Sequence, residues 1–240
     1  RIENGIFRIT APSCLSRDTL EKHYLPLLQD AIEQGHRAHM LEKQRACIPD
    51  EIVIPLEEKK YSVTVHSDLN QGLQNIAQAE TSHYLTFSGI RLICLGFRDT
   101  VQIYGATTKK KHLALALQNW AYDRAQTLLI PHIFSLASKY SIELNKVTIR
   151  NQKTRWGSCS RQRNNTYNIS LNWRSILLPK DLLNHLCQHE LCHSFMMNHS
   201  NAFHARLMEL DSAAEEKERK LAHASKLLPW WATHVEDFQE

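Results

Sequence analysis

The sequence predicts an α+β fold in which a β-rich N-terminal region precedes a more helical C-terminal region. Short runs of β-branched and aromatic residues, separated by Gly, Asn, Asp and Ser, fill the chain from about residue 52 to residue 104. Apolar residues then recur at helical spacing from about His112 to Tyr140 and again from Pro179 to about Met197. We therefore predict a β-rich region with one helix over residues 1–108, followed by a helical connector and a second domain over residues 109–240.

The first region has the composition of an antiparallel sheet with one preceding helix. The helix is predicted over Asp18–Leu41, where an apolar stripe recurs at helical spacing. The predicted strands are Ile52–Ile54, Tyr61–Val65, Tyr84–Phe87, Ile90–Leu95 and Val101–Tyr104.

The second region mixes helices and strands. Pro131 is predicted to divide the segment from His112 to Tyr140 into two helices, because an internal proline removes a helix hydrogen bond. The elements predicted after it are a strand over Lys146–Arg150, a turn around Gly157, a strand over Tyr167–Trp173 and a helix from Pro179 to about Met197.

Charge and composition exclude some classes of protein. The net charge is +4, which gives weak support for a nucleic-acid partner, and the run Lys109–Lys111 is interpreted as a solvated loop. No apolar stretch reaches the roughly 18 residues of a membrane span, and no secretory signal is visible. The 6 cysteines form no C-x-x-C pair and no disulfide framework. These features predict a cytoplasmic protein with reduced thiols and no membrane partner.

The stretch His-Glu-Leu-Cys-His carries the residues of a zinc site. His189 and His193 are four residues apart, so on a helix both imidazoles lie on one face and can reach one ion. Glu190 directly follows the first histidine, which puts its carboxylate beside the metal, where it can take a proton from a bound water. His189 and His193 are therefore the candidate metal ligands, and Glu190 is the candidate general base.

A catalytic zinc ion needs a third protein ligand, and His199 follows closely in the sequence. A straight helix would carry His199 too far along its axis, so the helix must end and the chain must turn back. Asn198 is the predicted turn residue, because Asn tolerates the left-handed conformation that ends helices. Ser200 then caps a new helix that runs to Leu210. Three neutral histidines leave an open fourth position, which is typical of a catalytic site.

Other side chains near the motif remain alternatives. The rival third ligands are His204, Glu209 and Asp211. A glutamate on a downstream helix is a known arrangement for catalytic zinc. His185 lies one turn before His189 on the same face and is predicted to be an outer contact of the site or exposed.

Three motifs in this order resemble the YgjP-like metal-dependent hydrolases, which are zincins related to the SprT-like and WLM peptidase groups. The motifs are Thr154–Cys159, Ile169–Arg174, and His189–His193 with Asn198–Ser200 and Phe203. The resemblance implies a zincin-like metallopeptidase domain with an H-E-x-x-H helix. It implies that His189, His193 and His199 bind one Zn²⁺ per chain, with Glu190 as general base. It also implies that a strand at Ile169–Trp173 lies alongside this helix and can pair with an extended substrate.

Four further residues are candidate transition-state or substrate contacts. Arg155 either stabilises negative charge or has a structural role, and Tyr167 is a candidate oxyanion donor. Asn172 belongs to the second motif. His204 follows Phe203 where the family usually has tryptophan, which adds a polar group near the site.

Three functions are compatible with these features. The first is a zinc metallopeptidase that acts on a peptide or protein. The second is a nucleotide pyrophosphatase of the UTP type on the same metal site, with Arg155, Arg161, Arg163 and Lys109–Lys111 as phosphate contacts. The third is a non-catalytic, metal-stabilised module associated with nucleic acid. The intact Glu190 favours an enzyme, and we rank the peptidase first.

Overall fold

The protein is described here by a computed structural model that covers residues 2–3, 6–7, 16, 18, 48–107 and 109–233. The chain forms two compact units, residues 1–47 and 48–240. In the first unit, strands β1 (Ile2–Glu3) and β2 (Ile6–Phe7) pair in antiparallel fashion. Apart from Asp18, the helix predicted over Asp18–Leu41 lies outside the described residues.

The second unit begins with a five-stranded sheet in the order β3-β4-β7-β6-β5. Its strands are β3 (Glu51–Ile54), β4 (Lys59–His66), β5 (Thr81–Phe87), β6 (Ile90–Gly96) and β7 (Thr100–Tyr104). The five predicted strands are confirmed. The sheet is mixed rather than antiparallel, however, because β4 pairs with β7 in parallel. A parallel pair requires a crossover, which helix α1 (Leu69–Asn75), β5 and β6 provide.

A second sheet has three strands in the order β8-β10-β9. Its strands are β8 (Leu144–Arg150), β9 (Gly157–Arg161) and β10 (Tyr167–Asn172). The middle strand, β10, is parallel to β8 and antiparallel to β9. The two strands predicted here are confirmed, but the predicted turn around Gly157 is wrong. Gly157 begins β9 because it is paired with Leu171 of β10.

Helix α2 (Lys110–Lys139) packs against both sheets and runs through Pro131. The prediction that Pro131 divides this segment into two helices is therefore wrong. An internal proline costs a helix about 3 kcal/mol. Leu129 and Ile133, on either side of it, are fully buried, and burying each contributes about 1.5–3 kcal/mol. Packing of the two flanking turns thus offsets the local cost.

Three more helices follow in the described part of the chain: α3 (Lys180–Cys192), α4 (Asn201–Leu210) and α5 (Ala214–Ala224). Helix α3 contacts α4, α5 and β9. It ends at Cys192, earlier than the predicted end near Met197. Ser200 caps α4 as predicted, since its Oγ accepts a hydrogen bond from the Phe203 amide at 3.4 Å. The architecture is α+β, and none of the described helices has the length and apolarity to span a membrane.

Candidate metal centre

Three histidines converge at the end of α3. His189 lies in the last turn of α3, His193 is its C-terminal cap residue, and His199 lies in the loop before α4. One ligand atom of each lies within 4.8 Å of the others. The Nε2 atoms of His189 and His199 are 3.2 Å apart. Nitrogens about 2.0–2.1 Å from a tetrahedral zinc ion lie about 3.4 Å from one another. The spacing of His189 and His199 is close to that value, and the three histidines together could hold a metal ion.

The chain reaches His199 by a different route from the predicted one. It leaves the helix at Cys192 and makes a tight turn, in which the amide of Met196 donates to the Cys192 carbonyl oxygen at 3.2 Å. Asn198 is not among the residues with a positive φ, so the predicted left-handed turn there is wrong. Because the helix ends early, no residue with a left-handed conformation is needed. Residues 193–199 are long enough to bring His199 back over the end of α3.

Hydrogen bonds at Nδ1 orient two of the three rings. His189 Nδ1 lies 2.6 Å from Oε1 of Glu218, a residue of α5. His193 Nδ1 lies 3.1 Å from the carbonyl oxygen of Met196. Each bond requires a hydrogen on Nδ1, so in the neutral ring the lone pair is on Nε2. Both rings therefore present the nitrogen that a metal ion would bind. Phe203 packs against all three rings, with ring centroids 4.8 or 5.2 Å away.

Desolvation and local charge set the protonation of the cluster. Desolvation lowers the pKa of His193 and of His199, which favours the neutral imidazole that binds metal ions. Desolvation also lowers the pKa of His189, but the hydrogen bond to Glu218 and its negative charge outweigh it, and the net shift is upward. Hydrogen bonds from His185 and His189 hold the pKa of Glu218 well below its usual range. Glu218 is therefore a carboxylate at neutral pH.

Glu190 is buried beside the cluster, with 5% of its surface exposed. Burial raises the pKa of its carboxyl group to about 7. Its Oε2 atom has no hydrogen-bond partner among the described residues. Its Oε1 atom lies against Gly157, where an added Cβ would be only 2.5 Å away. A carboxyl group with an available oxygen and a pKa near neutrality is suited to accept and return a proton.

Arg155 and His204 are exposed near these groups. Arg155 lines the same cavity as His189 and Glu190, and its charge lowers the pKa of Glu190 against the larger, raising effect of burial. The ring centroid of His204 lies 6.5 Å from that of His199. Both side chains could therefore approach a ligand held at the cluster.

Asn172 and Tyr167 have side chains bonded to the main chain. The Asn172 amide donates to the carbonyl oxygens of Gln152 and Arg155 at 2.8 and 3.0 Å. The Tyr167 hydroxyl donates to the carbonyl oxygen of Ser194 at 2.8 Å. These bonds brace the loop before β9 and the turn after α3. The predicted substrate contacts of Asn172 and Tyr167 remain predictions.

The rival third ligands do not join the histidine cluster, which among the described residues consists of His189, His193 and His199. Glu209 pairs with Arg206, and Asp211 pairs with Lys217 and His185. His185 itself is fully buried, so the prediction that it could be exposed is wrong. It contacts Glu218, which also bonds to His189, and is thus an outer contact of the site.

A cavity of about 720 Å³ adjoins Glu190. Its walls come from the loop before β9, from α3 and from α5, and include Arg155, Trp156, Leu186 and Leu221. Small-molecule sites typically have volumes of about 300–1,000 Å³. The cavity can therefore receive a side chain or a short segment of a ligand next to Glu190.

The strand available to an extended ligand differs from the one implied by the resemblance. The implied strand, Ile169–Trp173, corresponds to β10, which is hydrogen-bonded to β8 on one edge and β9 on the other. That expectation is wrong, because β10 has no free edge. Strand β9 has β10 as its one partner strand in the described sheet, and its first residue, Gly157, touches Glu190.

The sequence does not predict the positions of two residues of this site, Glu218 and Gly157. Glu218 lies in a run of charged residues that predicts only an exposed helix, and a hydrogen bond across 29 positions leaves no local pattern. Gly157 itself belongs to the second half of the Thr154–Cys159 motif. Its close approach to Glu190 depends on how β9 packs against α3, which the sequence does not encode locally.

A model of a protein family described as YgjP-like, metallopeptidase domain matches residues 96–224. The match begins at the last residue of β6 and ends with α5, so it includes the whole histidine cluster, Glu190 and Glu218. No curated protein and no solved structure matches the chain significantly. The resemblance inferred from the three sequence motifs is confirmed.

Proposed function

Because the chain belongs to the YgjP-like family of metallopeptidase domains, we propose that it is a zinc-dependent peptidase whose zinc ligands are His189, His193 and His199. The observation that carries this proposal is the convergence of three histidine nitrogens within 4.8 Å, beside the buried carboxyl group of Glu190. Three protein ligands leave the fourth position of a tetrahedral ion open, as catalysis requires. One ion per chain satisfies the cluster.

Zinc, when bound, supplies a Lewis acid that polarises a carbonyl group and acidifies water. Glu190 takes a proton from the attacking water and returns it to the leaving amine, and its buried position beside the cluster and its available Oε2 atom suit it to both transfers. The guanidinium of Arg155, exposed in the same cavity, offers positive charge to the oxyanion of the transition state.

A peptide substrate is better supported than a nucleotide. An extended peptide could add to the edge strand β9 through main-chain hydrogen bonds, and the adjoining cavity would receive one of its side chains. Arg155 lines the cavity together with Lys153 and Arg174, whereas Arg161, Arg163 and Lys109–Lys111 are not part of its lining. The guanidinium of Arg174 donates to the carbonyl oxygen of Ala232 and to Oδ1 of Asn151. The nucleotide pyrophosphatase ranks second because the matching family is one of metallopeptidase domains.

Zinc-loaded protein incubated with casein peptides and, separately, with UTP tests this proposal. We expect cleaved peptides, detected by mass spectrometry, and no release of pyrophosphate. Glu190→Gln protein, prepared in the same way, identifies activity from contaminating proteases. Pyrophosphate release without peptide cleavage would replace the peptidase by the nucleotide hydrolase. A salt-dependent shift on DNA without any hydrolysis would support the non-catalytic module instead.

Gly157→Ala is expected to lower kcat by about 10²-fold, since a displacement of about 1 Å in a catalytic group can have that effect. The added methyl group would lie 2.5 Å from Oε1 and 2.8 Å from Cδ of Glu190 and would displace the carboxyl group. The three atoms nearest to the added methyl group all belong to Glu190, so the zinc content should not change. Steady-state kinetics and elemental analysis check both parts. Ser160→Ala, an exposed change in the same strand, is the control, and loss of zinc in Gly157→Ala would contradict the prediction.

A further inference from the structure

Helix α5 supplies a carboxylate that bonds to two histidines of α3. Oε1 of Glu218 lies 2.6 Å from Nδ1 of His189 and 3.3 Å from Nε2 of His185. The two histidines are four residues apart, so they lie one above the other on the face of α3 that meets α5. Glu218 thus joins a candidate metal ligand to a residue outside the cluster.

Further contacts between charged and polar groups, on the side of His185 away from Glu218, also support this arrangement. His185 has no exposed surface, and its Nδ1 lies 2.9 Å from Oδ2 of Asp211. The two ring nitrogens of His185 therefore each face a carboxylate oxygen, one from Asp211 and one from Glu218. Asp211 also accepts from Lys217 Nζ at 2.9 Å and from the Ala213 amide at 3.1 Å. These contacts fix the position of Glu218 relative to α3.

We propose that Glu218 is a positioning residue that holds His189 in the tautomer and orientation required to bind the metal ion. A metal-bound histidine typically donates its other ring hydrogen to a carboxylate or carbonyl, which fixes the tautomer and increases the basicity of the ligand. His193 has a carbonyl in this role, that of Met196. For His189 the acceptor is a charged carboxylate, which gives a stronger hydrogen bond. The inference rests on the proposed zinc site.

The test is the zinc affinity of Glu218→Gln, measured by chelator competition at a temperature where circular dichroism shows the metal-free variant to be folded. Glutamine keeps the size of the side chain and one acceptor oxygen but loses the charge. We expect zinc to bind about 10–100-fold more weakly. The matched control is Glu216→Gln, which removes an exposed carboxylate of the same helix that pairs with Lys220, and it should bind zinc as the wild type does.

A purely structural role for Glu218 predicts a different result. The melting temperature of the metal-free protein would fall, while the folded variant would bind zinc with unchanged affinity, and this outcome would overturn the inference. Cobalt(II) substitution adds a spectroscopic readout, because a reoriented His189 should change the visible bands in Glu218→Gln but not in Glu216→Gln. If Glu218→Gln does not fold, Glu218→Asp, which keeps the charge on a shorter side chain, should still bind zinc more weakly than the wild type. Wild-type protein that binds no zinc would instead refute the proposed zinc site itself.

Discussion

Glu190→Gln is expected to abolish hydrolysis while the zinc content stays at the wild-type value. The amide has nearly the same shape as the carboxyl group, so it fits between Gly157 and the end of α3, but it cannot accept the proton of the attacking water. General-base catalysis typically contributes about 10²–10⁴-fold to the rate, and a loss of this size should appear in kcat. The measurements are kcat on a cleaved peptide and zinc per chain by elemental analysis.

The design of this test distinguishes a general base from a metal ligand. Oε2 of Glu190 has no partner among the described residues, so the amide should cost little stability. Glu215→Gln, an exposed carboxylate at the start of α5, controls for the loss of one negative charge and should keep full activity. Loss of zinc in Glu190→Gln would show that Glu190 contributes to metal binding. Unchanged kcat would remove it from the mechanism.

The predictable part of the fold is the part set by local sequence. The β-branched runs such as Val101–Tyr104 and the helical stripe after His112 specify their elements through side-chain periodicity alone. Local sequence does not set which strands pair, because the parallel contact of β4 with β7 joins segments separated by α1, β5 and β6. The continuity of α2 through Pro131 likewise depends on burial in the assembled core, which no local rule for proline contains.

The same distinction holds at the histidine cluster. His189 and His193 are four residues apart, so their spacing alone predicts that they share a helix face, and Glu190 is placed beside them because it directly follows His189. The turn that returns the chain to His199 was predicted at the wrong residue, because the helix ends at Cys192 through main-chain hydrogen bonds that almost any sequence can make. Glu218 comes from another helix, and its role appears only when α5 packs on α3.

His199→Ala is expected to lose the zinc that the wild type retains at about one ion per chain. Outer contacts of metal ligands contribute about 10–100-fold to affinity, so removing a direct ligand should weaken binding by at least about 10²-fold. His199 also lies in the loop before α4, so α3 cannot supply another nitrogen ligand in its place. Elemental analysis after gel filtration, together with chelator competition, measures the loss.

The control for His199→Ala is His204→Ala, because this exposed neighbour has its ring 6.5 Å from that of His199 and is the rival histidine. The expected pattern is loss of zinc in the first variant and retention in the second. The reverse pattern would make His204 the third ligand, and α4 would then have to move toward α3. Retention in both variants would show that neither His199 nor His204 is individually required for zinc binding, and it would contradict the proposed three-histidine site.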